Sequence, residues 1–269
     1  MTQQEILIEQ LKAGKSKKNY AVATIIKAEG STPRESGKML VFADGKTIGT
    51  VGGGRVERMA AADAVACIAS GANACKEYTL LEEGSGIGMS CGGNVTMFIE
   101  VYRVKPQLIM CGAGHVGGAL IKLAQFCGYD VTLVDTRPDE YIQDKIELAD
   151  TFVHVEDFYQ GVKELDVPEG CCFVIATFGH AYDGEALEAA LSKNASYVGM
   201  VGSKRKVGTL FASLREKGFT KEQLDNVYTP IGLDIGSETP EEIALSVMAE
   251  IMQLKKGSSA KHLRDCDHK

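Results

Sequence analysis

Positive charge is in deficit in this chain, with 29 lysines and arginines against 36 aspartates and glutamates, a formal net charge of -7. Neutralising nucleic-acid phosphates needs an excess of cations on one face, so no nucleic-acid partner is expected. Long apolar runs are missing too. No stretch approaches the ~20 residues that cross a bilayer, and the opening MTQQEILIEQLKAGKSKKNY has no leader-like apolar segment. No membrane partner and a cytoplasmic location are therefore expected. Cysteine occurs eight times, at Cys67, Cys75, Cys91, Cys111, Cys127, Cys171, Cys172 and Cys266, but never in a CxxC pair. Structural zinc usually takes its ligands in such pairs, so no metal site is expected and the thiols read as reduced. Tryptophan is absent altogether, which excludes nothing.

What is present is an ordinary globular composition, 45% hydrophobic and 24% charged, in 269 residues. That length exceeds one average domain and suits two. In the first part, Ile6, Leu7 and Leu11 recur at helical spacing from Gln3 to Ala13. The β-branched run Ala21 to Ala28 follows, then Met39 to Phe42 and Thr47 to Val51 around an Asp44-Gly45 hairpin signal. An Ala-rich helix from Val56 to Ala69 and strands Cys75 to Leu81 and Asn94 to Val104 complete an α+β domain over residues 1–104. Its glycines gather in three loops.

Beyond Lys105-Pro106 the pattern becomes continuous apolar strands alternating with helices, the mark of a parallel sheet covered on both faces. The expected strands are Gln107 to Cys111, Val131 to Val134, a segment around Ala149 to Val155, Cys171 to Thr177 and Tyr197 to Val201. Helices are expected over Val116 to Phe126 and Gly184 to Ser192. Thr239-Pro240-Glu241-Glu242 supplies a cap, a first-turn proline and a capping-box glutamate for a last helix. The fold class is thus α/β, a Rossmann-type domain over residues 105–257 after the N-terminal α+β domain, with a flexible polar tail over 258–269.

The sequence Gly112-Ala113-Gly114-His115-Val116-Gly117 ends an apolar strand and opens a helix. In such a loop the first glycine permits a tight turn, the second lets backbone approach a phosphate, and the third packs helix on strand. The next strand ends at Asp135, at the spacing of a ribose-binding acid. His115 reads as a phosphate donor or as a solvent-facing loop residue. Arg137 reads as meeting a further phosphate or as pairing with Asp139 or Glu140.

Two more segments follow strands and should flank the same crevice. In Thr177-Phe178-Gly179-His180-Ala181-Tyr182-Asp183, His180 and Asp183 either orient a ligand or cap the next helix. Gly202-Ser203-Lys204-Arg205-Lys206 combines glycine, hydroxyl and cations suited to an acidic ligand, or is a solvated basic helix end. In the first domain, Cys91 lies among glycines in Gly86-Ile87-Gly88-Met89-Ser90-Cys91-Gly92-Gly93, which would leave its sulfur open to carry sulfur, contact a metal centre or attack an electrophile. Gly30-Ser31-Thr32-Pro33-Arg34 and Gly52-Gly53-Gly54-Arg55-Val56-Glu57 set backbone N–H groups beside Arg34 and Glu57, a candidate anion cradle. Cys171 and Cys172 begin a strand, where neighbouring side chains point to opposite faces and pack in the core.

Taken in order, these motifs resemble the XdhC/CoxI family of molybdenum hydroxylase maturation factors. The resemblance runs from Gly30-Ser31-Thr32-Pro33-Arg34 through Gly52-Gly53-Gly54 with Glu57, Cys91-Gly92-Gly93, the Gly112 to Gly117 loop and Gly202-Ser203. It closes with Pro230-Ile231-Gly232-Leu233-Asp234-Ile235-Gly236 and Thr239-Pro240-Glu241-Glu242-Ile243-Ala244.

The resemblance implies a chaperone-like, non-catalytic accessory protein that binds molybdenum cofactor, as molybdopterin or its dinucleotide form. It would assist sulfuration of the cofactor and its insertion into a molybdenum hydroxylase apoenzyme such as xanthine dehydrogenase. A cysteine desulfurase partner and a homodimer are implied with it. Cys91 and the first-domain glycine loops become candidates for the cofactor site. Two positions depart from the family pattern: Arg55 stands where many members have cysteine, and Phe178 where many have the first histidine of a T-H-x-H-x-x-D motif. The glycine loop with Asp135 supports an alternative, an NAD(P)-dependent oxidoreductase.

Overall fold

The computed structural model describes residues 3–15, 18–79 and 93–266, apart from the side chains of Gln3, Lys15, His180, Ala181, Lys204 and Lys206. The chain divides into two compact units, Met1–Val104 and Lys105–Lys269.

The first unit carries α1 (Gln3–Lys15), β1 (Tyr20–Glu29), β2 (Lys38–Phe42), β3 (Thr47–Thr50), α2 (Gly54–Ser70), β4 (Ala74–Thr79) and β5 (Asn94–Tyr102). The strands form one antiparallel sheet in the order β3-β2-β1-β5-β4. Because side chains alternate along a strand, the sheet feeds two cores. Ala21, Ala23, Met39, Val41, Met97 and Ile99 lie with Val56, Ala60 and Ala64 of α2. Tyr20, Val22 and Leu40 lie with Ile6 and Ala13 of α1 on the other face. The hairpin turns at Asp44-Gly45, where Gly45 takes φ 81° and Asp44 accepts the Lys46 N–H at 3.0 Å.

The second unit carries β6 (Gln107–Cys111), α3 (His115–Phe126), β7 (Asp130–Asp135), α4 (Asp139–Ile146), β8 (Thr151–His154), α5 (Phe158–Glu164), β9 (Cys172–Ile175), α6 (His180–Ala190), β10 (Tyr197–Met200), α7 (Lys204–Glu216), α8 (Lys221–Asp225) and α9 (Pro240–Lys256). Its strands are all parallel in the order β10-β9-β6-β7-β8. Tyr228 extends the sheet beyond β10 by bridging Gly199.

The expected parallel, doubly covered sheet is thus present. One face packs Ile109, Cys111 and Phe173 against Phe158, Ala186 and Leu187 of α5 and α6. The other packs Leu108, Met110 and Val174 against Leu120 and Ile121 of α3 and Val247 and Ile251 of α9. Cys171 belongs to the first core and Cys172 to the second, as their adjacency requires. A fully buried side chain of Leu or Phe size contributes about 1.5–3 kcal/mol, and Leu108, Ile109, Leu120, Ile121 and Phe173 all have that status.

Two departures from the sequence reading matter for the site. The helix expected from Gly184 begins at His180, because Gly179 already adopts the extended N-cap conformation. His180 and Asp183 therefore stand in the first turn of α6, not in a loop. The strand expected to reach Thr177 ends at Ile175, since Thr177 is drawn into that turn by Asp183.

Candidate functional site

In the second unit the chain leaves β6 in one direction, towards β7, while β9 enters on the other side of β6. Ligands of open parallel sheets lodge at this reversal, beyond the strands' carboxyl ends. Both loops there are described. Gly112 has φ 112°, and a Cβ on it would stand 2.3 Å from the Ala176 carbonyl oxygen. A Cβ on Gly117 would meet the Gly112 carbonyl oxygen at 2.2 Å. The protein itself therefore demands the first and third glycines. Gly114 differs: its backbone is ordinary extended chain, and the nearest atom to a Cβ would be 4.0 Å away. Space is left beside Gly114 where a phosphate would sit against the first turn of α3. His115 opens that helix and is exposed.

Asp135, at the end of β7, is fully buried. One carboxylate oxygen accepts the Ala113 N–H at 2.6 Å and Arg137 Nη2 at 2.7 Å. The other accepts the Arg137 N–H and Nε, both at 2.9 Å. Burial alone would raise the pKa of this group, but the Arg137 side chain, its backbone N–H and the Ala113 N–H together hold it below the ordinary carboxylate range. The hydrogen bond to Asp135 in turn raises that of Arg137. Arg137 thus pairs with Asp135 and extends over the ring of Phe178, its guanidinium carbon 5.2 Å from the ring centre. Phe178 itself is about half exposed and lies against Tyr182, with centroids 4.7 Å apart.

Asp183 plays the matching part for the loop after β9. It is buried and accepts the Thr177 N–H at 3.0 Å and the Thr177 hydroxyl at 2.6 Å. Between the two acids, Cys111 is fully buried, and burial followed by the Asp135 and Asp183 charges pushes its thiol far up. Gly202 and the exposed Ser203 follow β10, and the Ser203 carbonyl accepts the Val207 N–H, so Lys204 opens α7. A residue that spacing alone does not point to is Glu250. It is buried in α9, and one oxygen accepts the Tyr197 hydroxyl at 2.5 Å and the Gly232 N–H at 3.1 Å. It ties the 230–236 loop to the sheet. Burial and this bond raise the pKa of Tyr197.

In the first unit, two sets of close approaches draw the glycine loops together. A Cβ on Gly93 would lie 2.6 Å from the carbonyl oxygens of Glu29 and Ser31, and one on Gly52 would lie 3.3 Å from Pro33. Gly52, Gly53 and Gly54 all take positive φ, 127°, 80° and 65°. The turn they make holds an internal anion: one oxygen of Glu57 accepts the Val51 N–H at 3.2 Å, the Gly53 N–H at 3.0 Å and the Thr50 hydroxyl. Gly52 N–H donates to Thr50 Oγ1 at 3.1 Å. Arg34 and Arg55 are exposed. Cys91 lies outside the described residues, two positions before the anchored Gly93. No group of three or more His, Cys, Asp or Glu is placed to hold a metal among the described residues.

Comparison with known families decides the identity of this two-part architecture. Residues 108–251 match the XdhC Rossmann domain and residues 14–79 match the XdhC and CoxI family. The chain belongs to the XdhC and CoxI family. It is 35% identical over 240 residues to the uncharacterised protein YqeB of Escherichia coli K12, covering 89% of this chain and 44% of YqeB. It is 33% identical over 160 residues to a probable xanthine dehydrogenase subunit of Bacillus subtilis 168, covering 60% of this chain and 46% of that protein. The chain therefore spans less than half the length of these two relatives.

The molybdenum cofactor insertion chaperone PaoD of Escherichia coli K12 is 24% identical over 277 residues, covering 92% of this chain and 86% of PaoD. The fold is similar to a crystal structure described as a xanthine dehydrogenase from Bacillus halodurans, with 23% identity, a TM-score of 0.51, and 96% and 97% of the two chains covered. Within this XdhC and CoxI family chain, the departure at Phe178 now has a physical place. It supplies the ring beneath Arg137 instead of an imidazole. The departure at Arg55 sets an exposed guanidinium in the first turn of α2.

Proposed function

We propose that this protein is a maturation factor that holds a molybdopterin-type cofactor, aids its sulfuration and delivers it to a molybdenum hydroxylase apoenzyme. What carries the reading is family membership spread across both units, together with likeness over most of the length of PaoD, whose own name is that of a molybdenum cofactor insertion chaperone.

The first-unit loops around Gly30 to Arg34, Gly52 to Gly54 and Gly93 would present the cofactor's surroundings, with Cys91 as the sulfur or metal contact. Backbone loops and one thiol suit a carrier, which must release its cargo, better than a set of fixed metal ligands would. In the second unit, Gly112, Gly114, His115, Gly117, Arg137, His180 and the Gly202-Ser203-Lys204 turn would face an anionic ligand, with Asp135 and Asp183 bracing the two loops. A cysteine desulfurase as sulfur source and a homodimeric state belong to the same proposal.

The test is to purify the protein and its Cys91→Ala variant from cells that make the cofactor, and to assay molybdenum and pterin. Co-purification with the wild type and loss in the variant is expected. Absence of cofactor from both overturns the reading.

The space beside Gly114 favours one other reading, an NAD(P)-dependent oxidoreductase. It requires that bound reduced nicotinamide be oxidised in the presence of an acceptor substrate, read by its absorbance. A nucleotide that binds and never turns over fits a maturation factor and removes this alternative.

A further inference from the structure

The acid that ends the second strand of a dinucleotide-binding sheet ordinarily accepts hydrogen bonds from the ribose hydroxyls, while a nearby arginine receives a phosphate on the ribose instead. Both residue types are present here, two positions apart, and the geometry decides between them. The Asp135 side chain is 0% exposed. Its two oxygens already accept four hydrogen bonds, and an ionised carboxylate has about four acceptor positions. No ribose hydroxyl can reach it or be accepted by it without breaking the clamp.

Arg137 is the opposite case. Its side chain is 27% exposed. Of the roughly five N–H bonds a guanidinium carries, those on Nε and one on Nη2 are directed at Asp135. The rest lie on the outer edge of a plane that is held twice, by the two-point carboxylate pair below and by the Phe178 ring. A planar fork fixed in this way is arranged for two-point recognition of a phosphate oxygen pair. The glycine loop lies on the same carboxyl end of the sheet, and its Ala113 N–H is bonded to the same Asp135.

We propose that Arg137 is the specificity-determining residue of this crevice and selects a nucleotide whose ribose carries a phosphate over one whose ribose is a free diol. The inference concerns residues of the second unit alone and stands apart from the pterin reading; either can fail without the other.

The experiment is calorimetric titration of the full chain with NADP+ and NAD+, repeated with 2′-AMP and 5′-AMP. The 2′-phosphorylated member of each pair should bind about tenfold tighter or more, the span of one charge-assisted hydrogen bond. In Arg137→Met the preference should fall to about unity. That change strands the buried Asp135 charge, so the double variant D135N/R137M, in which no charge is left behind, is measured beside it and should show the same loss with an intact thermal transition. Equal affinity for the two members, tighter binding of the diol, no binding of any of the four, or a preference that survives in both variants overturns the proposal. Inorganic phosphate competing as well as 2′-AMP also overturns it, since ribose would then play no part.

Discussion

Single residues separate what the fold requires from what a ligand requires. Gly112→Ala places a side chain at φ 112° and 2.3 Å from a carbonyl oxygen, so a loss of about 1–3 kcal/mol from backbone strain, with the clash added, is expected in urea unfolding. Gly114→Ala meets ordinary backbone and open space, so its unfolding midpoint should stay near wild type while nucleotide binding falls. Equal destabilisation by the two changes would deny the division. Asp135 gives a second residue-scale expectation. Its proton affinity is depressed on folding, so between the native and unfolded titrations the unfolded chain binds more protons. The clamp's stabilisation is complete above the unfolded carboxylate value of about 3.9 and is lost as pH falls through the lower native one. Acid unfolding of Asp135→Asn should show a shallower dependence in that window. Neither Asp135 nor Arg137 reveals this in the sequence, because an i, i+2 contact in a turn leaves no periodic trace.

At the scale of elements, helix starts carry the loops. Glu57 closes the Gly52 to Gly54 turn from the first turns of α2, and Glu57→Ala leaves the Val51 and Gly53 N–H groups without that acceptor. A loss of about 1–3 kcal/mol in denaturant unfolding is expected; a change under a few tenths would mean water replaces the carboxylate freely. The capping box of α9 is legible in the sequence because Thr239, Pro240 and Glu242 each declare a helix start, and Thr239 and Glu242 make both reciprocal bonds. The strands of the second unit are legible as apolar runs because both faces of the sheet are covered, except at the edge strand β8, whose pattern is half exposed. α4 and α5 are not legible. They are eight and seven residues long, and they bury only Ile142 in the first and Phe158 and Val162 in the second. Two apolar positions make no period. The start of α6 escapes the sequence because Gly179 and His180 read equally well as the middle of a loop.

At the scale of the molecule, each unit has its own sheet and its own cores, and the division falls between Val104 and Lys105. Fragments 1–104 and 105–269 should each unfold cooperatively when made alone. A nucleotide at a hundred times its dissociation constant should stabilise only the second, by about 2.7 kcal/mol. Stabilisation of the first fragment by the same nucleotide would contradict the assignment of the crevice. The cores also sort the thiols. Cys67, Cys111, Cys171 and Cys172 are buried, and burial raises the pKa of each, that of Cys171 to about 11. The sulfuration role proposed above would gain from this, since a protonated interior thiol neither takes up a persulfide nor forms a mixed disulfide. Among the described cysteines, alkylating reagents should see only Cys75, Cys127 and Cys266. Comparison with Cys91→Ala then isolates one signal from a background of three, and any modified mass found on the interior four would report an opened core, not chemistry on the folded protein.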